Sequence, residues 1–226
     1  MISIVYKCED FVVINKPCGV PSQKDNSGDP DSITLCEKML SSLGESGELH
    51  IINRLDRVVG GMVLLARSSS SAAELSTRLA DGIEKEYFAV VEGAPTDGVM
   101  RDFIYKDATL GRAYVFKDAR RGAKEAVLEY FVLSTAEYKG KTLSLVRVKL
   151  KTGRFHQIRA QFSSRKMPLI GDKKYGSKVV GTIHPALFSA RLAFELGEKK
   201  YDFNLAPDCT EFPWSLFDKK NFEVNV

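Results

Sequence analysis

No apolar run in this 226-residue sequence is long enough to cross a bilayer. The longest, Val58 to Ala66, has nine residues, against about 20 for a span. The opening stretch MISIVYKCED meets Lys7 too early to form the apolar core of a secretion signal. The four cysteines (Cys8, Cys18, Cys36, Cys209) stand too far apart for a CxxC zinc pattern, so free thiols are expected. Only three histidines are present (His50, His156, His184), and none has HExxH spacing, which argues against catalytic zinc. A large charge excess is also missing: the net charge is +4, which permits a polyanionic partner without requiring one. There is no repeat, low-complexity tract or linker. Gly140-Lys141-Thr142 matches the end of a phosphate-binding P-loop, but the glycine required five residues earlier is Thr135, so this reads as a hairpin turn. The expectation is a soluble, cytoplasmic, monomeric protein with no metal, cofactor or membrane association.

Hydrophobic periodicity supplies the elements. IVYKCEDFVVIN reads as a short strand, a turn at Glu9-Asp10 and a second strand, Phe11 to Asn15, stopped by Pro17. After a polar loop, Asp31 or Ser32 is placed to cap a helix that turns Ile33, Cys36 and Leu40 to one side. MVLLARS reads as a buried strand, followed by a serine-capped helix through about Leu79 with Ala72, Leu75 and Leu79 as its stripe. KEYFAVVEG is a further strand. Segments near 113–116, 126–133 and 143–150 form an antiparallel set. In the last of these Val146, Val148 and Leu150 alternate with Arg147, Lys149 and Lys151. TGRFHQIRAQF breaks at Gly153 and begins a helical period. Sheet-rich α+β architecture follows, rather than doubly wound α/β.

Three stretches carry candidate chemistry. In INRLDRVVGG, Asp56 lies between Arg54 and Arg57; the ordinary reading of such a carboxylate is a structural or solvated ion pair. It also stands at the entrance of a buried strand, where a reactive side chain would be held rigidly. In KLKTGRFHQIRAQF, His156 and Arg159 are three apart and are expected on one helical face. A partly desolvated Arg159, flanked by Ile158 and Ala160, would keep a facing carboxylate ionised; the plainer reading is a helix with a buried glutamine or histidine. In PLIGDKKYG, glycines allow close backbone approach, or the stretch is simply a tight turn.

Together the motifs INKPCGV, NRLDRVVGG, KEYFAVVEG, KTGRFHQIRAQF and PLIGDKKYG, in that order, resemble the RluA family of pseudouridine synthases. The resemblance runs from about Ile4 to Phe217. It implies a mixed, mostly antiparallel sheet with flanking helices and a central cleft, forming one catalytic domain over residues 1–226 without an accessory N-terminal RNA-binding module. It also implies isomerisation of uridine in rRNA or tRNA, by base flipping and without a cofactor. On this resemblance Asp56 is the catalytic aspartate and Arg159 its ion-pair partner. Tyr87 packs on the uracil and assists proton removal at carbon 5. Arg54 enters the gap left by the flipped base, and Ile170 lines the base pocket. Arg57, Lys173, Lys174 and the stretch KDARRGAK (117–124) are candidate RNA contacts.

The chain departs from the family pattern at Asn53, where histidine is usual, and at Val58-Val59-Gly60-Gly61, where Asp-Thr-Ser-Gly is common. The second expectation is therefore an RNA-binding protein on the same fold with weakened catalysis. A carboxylate-dependent glycosidase-like hydrolase is a third, but it calls for a second catalytic carboxylate that no motif supplies.

Overall fold

The computed structural model describes residues 1–79, 82–179 and 181–223. In chain order the strands and helices are β1 (Ser3–Lys7), β2 (Phe11–Lys16), α1 (Ser32–Ser42), β3 (His50–Ile51), β4 (Gly60–Ala66), α2 (Ser69–Arg78), β5 (Glu84–Glu92), β6 (Gly98–Asp107), β7 (Arg112–Phe116), β8 (Lys124–Tyr138), β9 (Lys141–Leu150), α3 (Gln157–Ser164), β10 (Leu187–Leu196) and β11 (Lys199–Asn204). The class is α+β with a mostly antiparallel sheet, as the sequence leads one to expect. Two compact units divide the chain: residues 1–83 with 189–205, and 84–188 with 206–226.

In the first unit β1 pairs with β2 and β2 with β4, all antiparallel, with Phe11 opposite Ala66 and Lys16 opposite Gly61. All seven residues of β4 are buried. Such a continuous apolar run belongs to a strand covered on both faces. Its core joins Phe11, Val13, Met62 and Leu64 to Leu75 and Leu79 of the α2 region and to Leu192 and Phe194 of β10. Both helix starts follow from side-chain caps. Asp31 accepts from the Thr34 amide at 2.8 Å, and Ser68 from the Ser71 amide at 3.0 Å, each satisfying a backbone donor the helix leaves open.

The second unit is an antiparallel array in the order β5-β9-β8-β6-β7. The GKT stretch is indeed a hairpin turn, with Lys139 and Gly140 at positive φ (50° and 72°) between β8 and β9. Helix α3 packs Ala160 against Ile104, Ala113 and Ala126 of the sheet.

Two observations go beyond or against the sequence expectations. β6 escapes the periodicity because its outward face carries Val99, Phe103 and Tyr105 while the inward Asp102 is buried, so polar and apolar residues do not alternate. His156 does not lie on the helical face of Arg159. It precedes α3 in the left-handed conformation (φ 51°, ψ 27°), and the helix begins at Gln157.

Candidate active site

The segment around Asp56 is pinned residue by residue within the first unit. The Leu64 amide donates to Asn53 Oδ1 at 2.6 Å, which ties the start of the segment to β4. Ser22 Oγ donates to the Leu55 carbonyl (2.8 Å) and accepts from the Leu55 amide (3.0 Å). The Val59 amide closes a turn on the Asp56 carbonyl at 3.0 Å. The Arg57 carbonyl accepts from the Gly19 amide (2.8 Å) and from Lys16 Nζ (3.3 Å). Asp56 itself is half-buried, and Arg54 is exposed. Arg57 is exposed too, but its Nε donates to the Gly19 carbonyl at 2.8 Å and its guanidinium pairs with Asp25 and Asp29. Its charge thus helps close the 19–29 loop.

Lys16 was not singled out by the sequence reading. It is fully buried, and its ammonium donates to the carbonyls of Pro17 (3.1 Å), Val20 (2.8 Å) and Arg57 (3.3 Å). Burial lowers its pKa to about 8, partly countered by the attraction of Cys18 and Asp56. One side chain therefore clasps the NKP turn to the RLDR segment and brings a cation to Asp56. Its signal in the sequence is position: Lys16 follows the unbroken run Phe11 to Ile14 and falls on the same side as Val12 and Ile14.

The departure at Asn53, and the glycine that closes the altered Val58-Val59-Gly60-Gly61 run in common with the family, now have structural content. Asn53 fills the histidine position and holds β4 through its Oδ1, while its buried Nδ2 lacks a hydrogen-bond partner among the described residues. Gly61 has φ 111°, and a Cβ there would stand 2.4 Å from the Ser189 carbonyl oxygen and 2.5 Å from the Ser189 amide nitrogen. Only glycine fits.

The second unit holds the other candidates. Thr152, Arg154 and Gln157 build the turn into α3. Gln157 Oε1 accepts from Thr152 Oγ1 and the Arg154 amide, each at 2.9 Å, and its Nε2 donates to the Val127 carbonyl at 3.1 Å. Two residues on, Arg159 is buried and donates side-on to Asp172: Nε to Oδ2 at 2.7 Å and Nη2 to Oδ1 at 2.9 Å. This paired geometry fixes both the position and the plane of a guanidinium. The ring of Tyr175 lies 5.1 Å from its centre, and Tyr175 is itself held by the Ala113 amide (2.8 Å) and His156 Nδ1 (2.9 Å). Burial, and then the nearby cations Arg159 and Lys174, push His156 down to about 3, so its ring is neutral at physiological pH.

The PLIG stretch runs along β5, where the Ile170 amide donates to the Val90 carbonyl at 2.9 Å. Gly171 (φ 79°) permits the approach of the His184 carbonyl, 2.4 Å from where a Cβ would sit. Tyr87 on β5 is 6% exposed, and Ile170 is fully buried. Lys173 and Lys174 are exposed on the short 3-10 turn Lys173–Tyr175, and Lys174 Nζ donates to the Gly111 carbonyl at 2.9 Å. Arg159 thus closes on one buried carboxylate, Asp172, which stands between Ile170 and the two lysines in the chain and which the sequence reading passed over. Its polar neighbours Lys173 and Lys174 gave no hint of burial.

Among the described residues no cluster suited to a metal ion is present, and no helix is long and apolar enough to cross a membrane. A family model described as RNA pseudouridylate synthase matches residues 10–164. An uncharacterized RNA pseudouridine synthase of Aquifex aeolicus (strain VF5) is 35% identical over 185 residues, covering 78% of this chain and 57% of that protein. A tRNA pseudouridine synthase C of Pectobacterium carotovorum subsp. carotovorum is 30% identical over 184 residues (78% and 48% covered). A ribosomal large subunit pseudouridine synthase D of Zymomonas mobilis subsp. mobilis (strain ATCC 31821 / ZM4 / CP4) is 31% identical over 206 residues (86% and 61%). The chain thus spans between 48% and 61% of the length of these relatives. The solved structure of human RNA pseudouridylate synthase domain containing 1 superposes with a TM-score of 0.75 at 24% identity, covering 96% of this chain and 86% of that one, a likeness of fold. With more than half of its residues matched by the family model, the chain belongs to the RNA pseudouridylate synthase family.

Proposed function

We propose that this protein isomerises uridine to pseudouridine in a structured RNA, rRNA or tRNA, with Asp56 as the reactive carboxylate. The observation that carries this reading is the segment 53–59, tied to β4 through the Asn53 side chain and by its backbone to Ser22, Gly19 and Lys16, so that Asp56 is presented from a fixed frame. Preorganisation of this kind favours a charged group that must act without rearranging.

The reaction breaks the bond between ribose C1′ and uracil N1, turns the base, and forms a bond from C1′ to C5; the hydrogen on C5 leaves as a proton and N1 takes one up. Substrate and product are isomers, so no oxidant, reductant or cofactor is called for. Asp56 drives departure of the base as nucleophile or as local anion. In this proposal Tyr87 stacks on the uracil and assists removal of the C5 proton. Arg159, anchored by Asp172, keeps the reactive carboxylate ionised. Arg54 fills the space left by the flipped nucleotide, which offsets the few kcal/mol that flipping costs, and Ile170 lines the base pocket. Arg57, Lys173 and Lys174 meet phosphates. The protein is read as a cytoplasmic monomer whose residues 1–226 act as one catalytic domain.

The second reading, an RNA-binding protein with weakened catalysis, is favoured by two features. Val58 and Val59 stand where polar side chains are usual in the family, and Arg57 is already paired with Asp25 and Asp29. Tritium release from RNA labelled at uridine C5 separates the two. Release by wild type and not by Asp56→Asn is expected; salt-sensitive RNA binding without release from either protein would favour the second reading.

A further inference from the structure

The hairpin of β6 and β7 carries an aromatic face that the reading above does not use. Its register sets Phe103 opposite Phe116 and Tyr105 opposite Tyr114, with Asp107 opposite Arg112, and directly opposed residues share a face. The other face, with Ile104 and Ala113, packs on α3 and Tyr175, so the four rings point away from the helix. Tyr105 and Tyr114 remain 41% and 38% exposed. The guanidinium of Arg120 lies 4.5 Å over the Phe116 ring, and that of Arg112 lies 5.9 Å over Tyr114. The loop after β7 returns along the same surface: a Cβ on Gly122 would be 3.4 Å from the Tyr105 ring.

Charge separates this patch from the rest of the sheet face. Toward β8 and β9 the outward cations are matched by acids, Arg101 by Glu125, Lys151 by Glu129 and Arg147 by Glu86. At the hairpin the matching stops. Residues 102–124 hold six basic and three acidic side chains, a surplus of three. One of those acids, Asp102, points inward, buried against Arg165 and Gln161. Cross-strand packing accounts for the half-buried Phe103 and Phe116. It does not account for two open tyrosines on a face that Arg112 and Arg120 flank.

We propose that this face binds an unpaired stretch of the substrate RNA, with bases stacking on Tyr105 and Tyr114 while Arg112, Lys117 and Arg120 meet the phosphates. Rings interleaved with cations on an open sheet suit single strands, because every base offers a π-face and every linkage a charge. A protein partner would leave the basic surplus unanswered. The inference rests on the RNA substrate proposed above.

The test uses the full chain and a short, unstructured, fluorescein-labelled oligoribonucleotide, read by fluorescence anisotropy across a salt series. The double variant Tyr105→Leu/Tyr114→Leu keeps apolar area and removes the π-faces. It is expected to bind about tenfold more weakly or worse, with an unchanged salt slope. Arg120→Gln, in an exposed loop, is expected to reduce the slope by about 0.7, and thermal melting checks that both variants fold. Wild-type affinity in both variants overturns the proposal. So does loss of self-association in sedimentation with RNA binding intact, which would make the face a protein contact. C5-tritium release by wild type is scored separately. Release with unaltered variant binding sinks this surface and spares the synthase, whereas lost variant binding without release does the reverse.

Discussion

Lys16 and Asp172 are buried charges beside candidate site residues, and each is answered differently. Lys16 is satisfied by three carbonyls from separate points of the loops it joins. Lys16→Met keeps the volume but strands those carbonyls. A loss of about 2 kcal/mol or more is expected in urea unfolding, together with reduced tritium release as the Asp56 segment loosens. Asp172 answers a single guanidinium through both oxygens. Asp172→Asn removes the charged acceptor of two Arg159 donors in a dry site, at a cost of about 3 kcal/mol, and turnover should fall with it. His156 gives the acid limb of stability. In the fold its pKa is about 3 against an ordinary 6.5, so between those values the unfolded chain carries a proton that the folded chain does not. Stability therefore falls as pH drops below 6.5, by about 2 kcal/mol at most down to pH 5, and His156→Asn should flatten that part of the profile. At this scale the sequence was legible where neighbours forecast an environment, as with the desolvated Arg159 between Ile158 and Ala160. It was opaque where burial of a polar group depended on partners far along the chain, as with Lys16 and Asp102.

Elements with an unbroken apolar run, a side-chain cap or a strict alternation could be read directly. The unbroken run of β4, the serine cap of α2 and the alternation of β9 appear where periodicity places them. β6, β10 and β11 were not read. In β6 an inward acid and outward aromatics cancel the period, and the start of α3 was misplaced because a left-handed residue, His156, opens it. The junction from the RLDR segment into β4 also depends on an element that periodicity does not reveal, since Gly61 passes against Ser189 of β10. Gly61→Ala combines an unfavourable positive φ with backbone overlap, and a destabilisation of about 3 kcal/mol or more is expected in thermal or urea unfolding. Gly140→Ala, at a turn with nothing within 4 Å, should cost only about 1 kcal/mol from its φ of 72°.

Over the whole molecule, neither compact unit is a continuous piece of chain: each is completed by a segment that follows the other's main body, 189–205 in one case and 206–226 in the other. That order has a consequence during translation. When the ribosome has delivered residue 188, strands β1 to β9 have been made, yet β4 still lacks its neighbour β10, and the Phe11–Leu64 core lacks Leu192 and Phe194. The nascent chain must therefore hold a half-built apolar sheet open until the residues after 188 emerge, which is a state for chaperones to guard. A chain stopped after Phe188 is expected to partition into the pellet on expression while the full chain stays in solution. Soluble, cooperatively melting 1–188 would show that the early strands can close without their late partners.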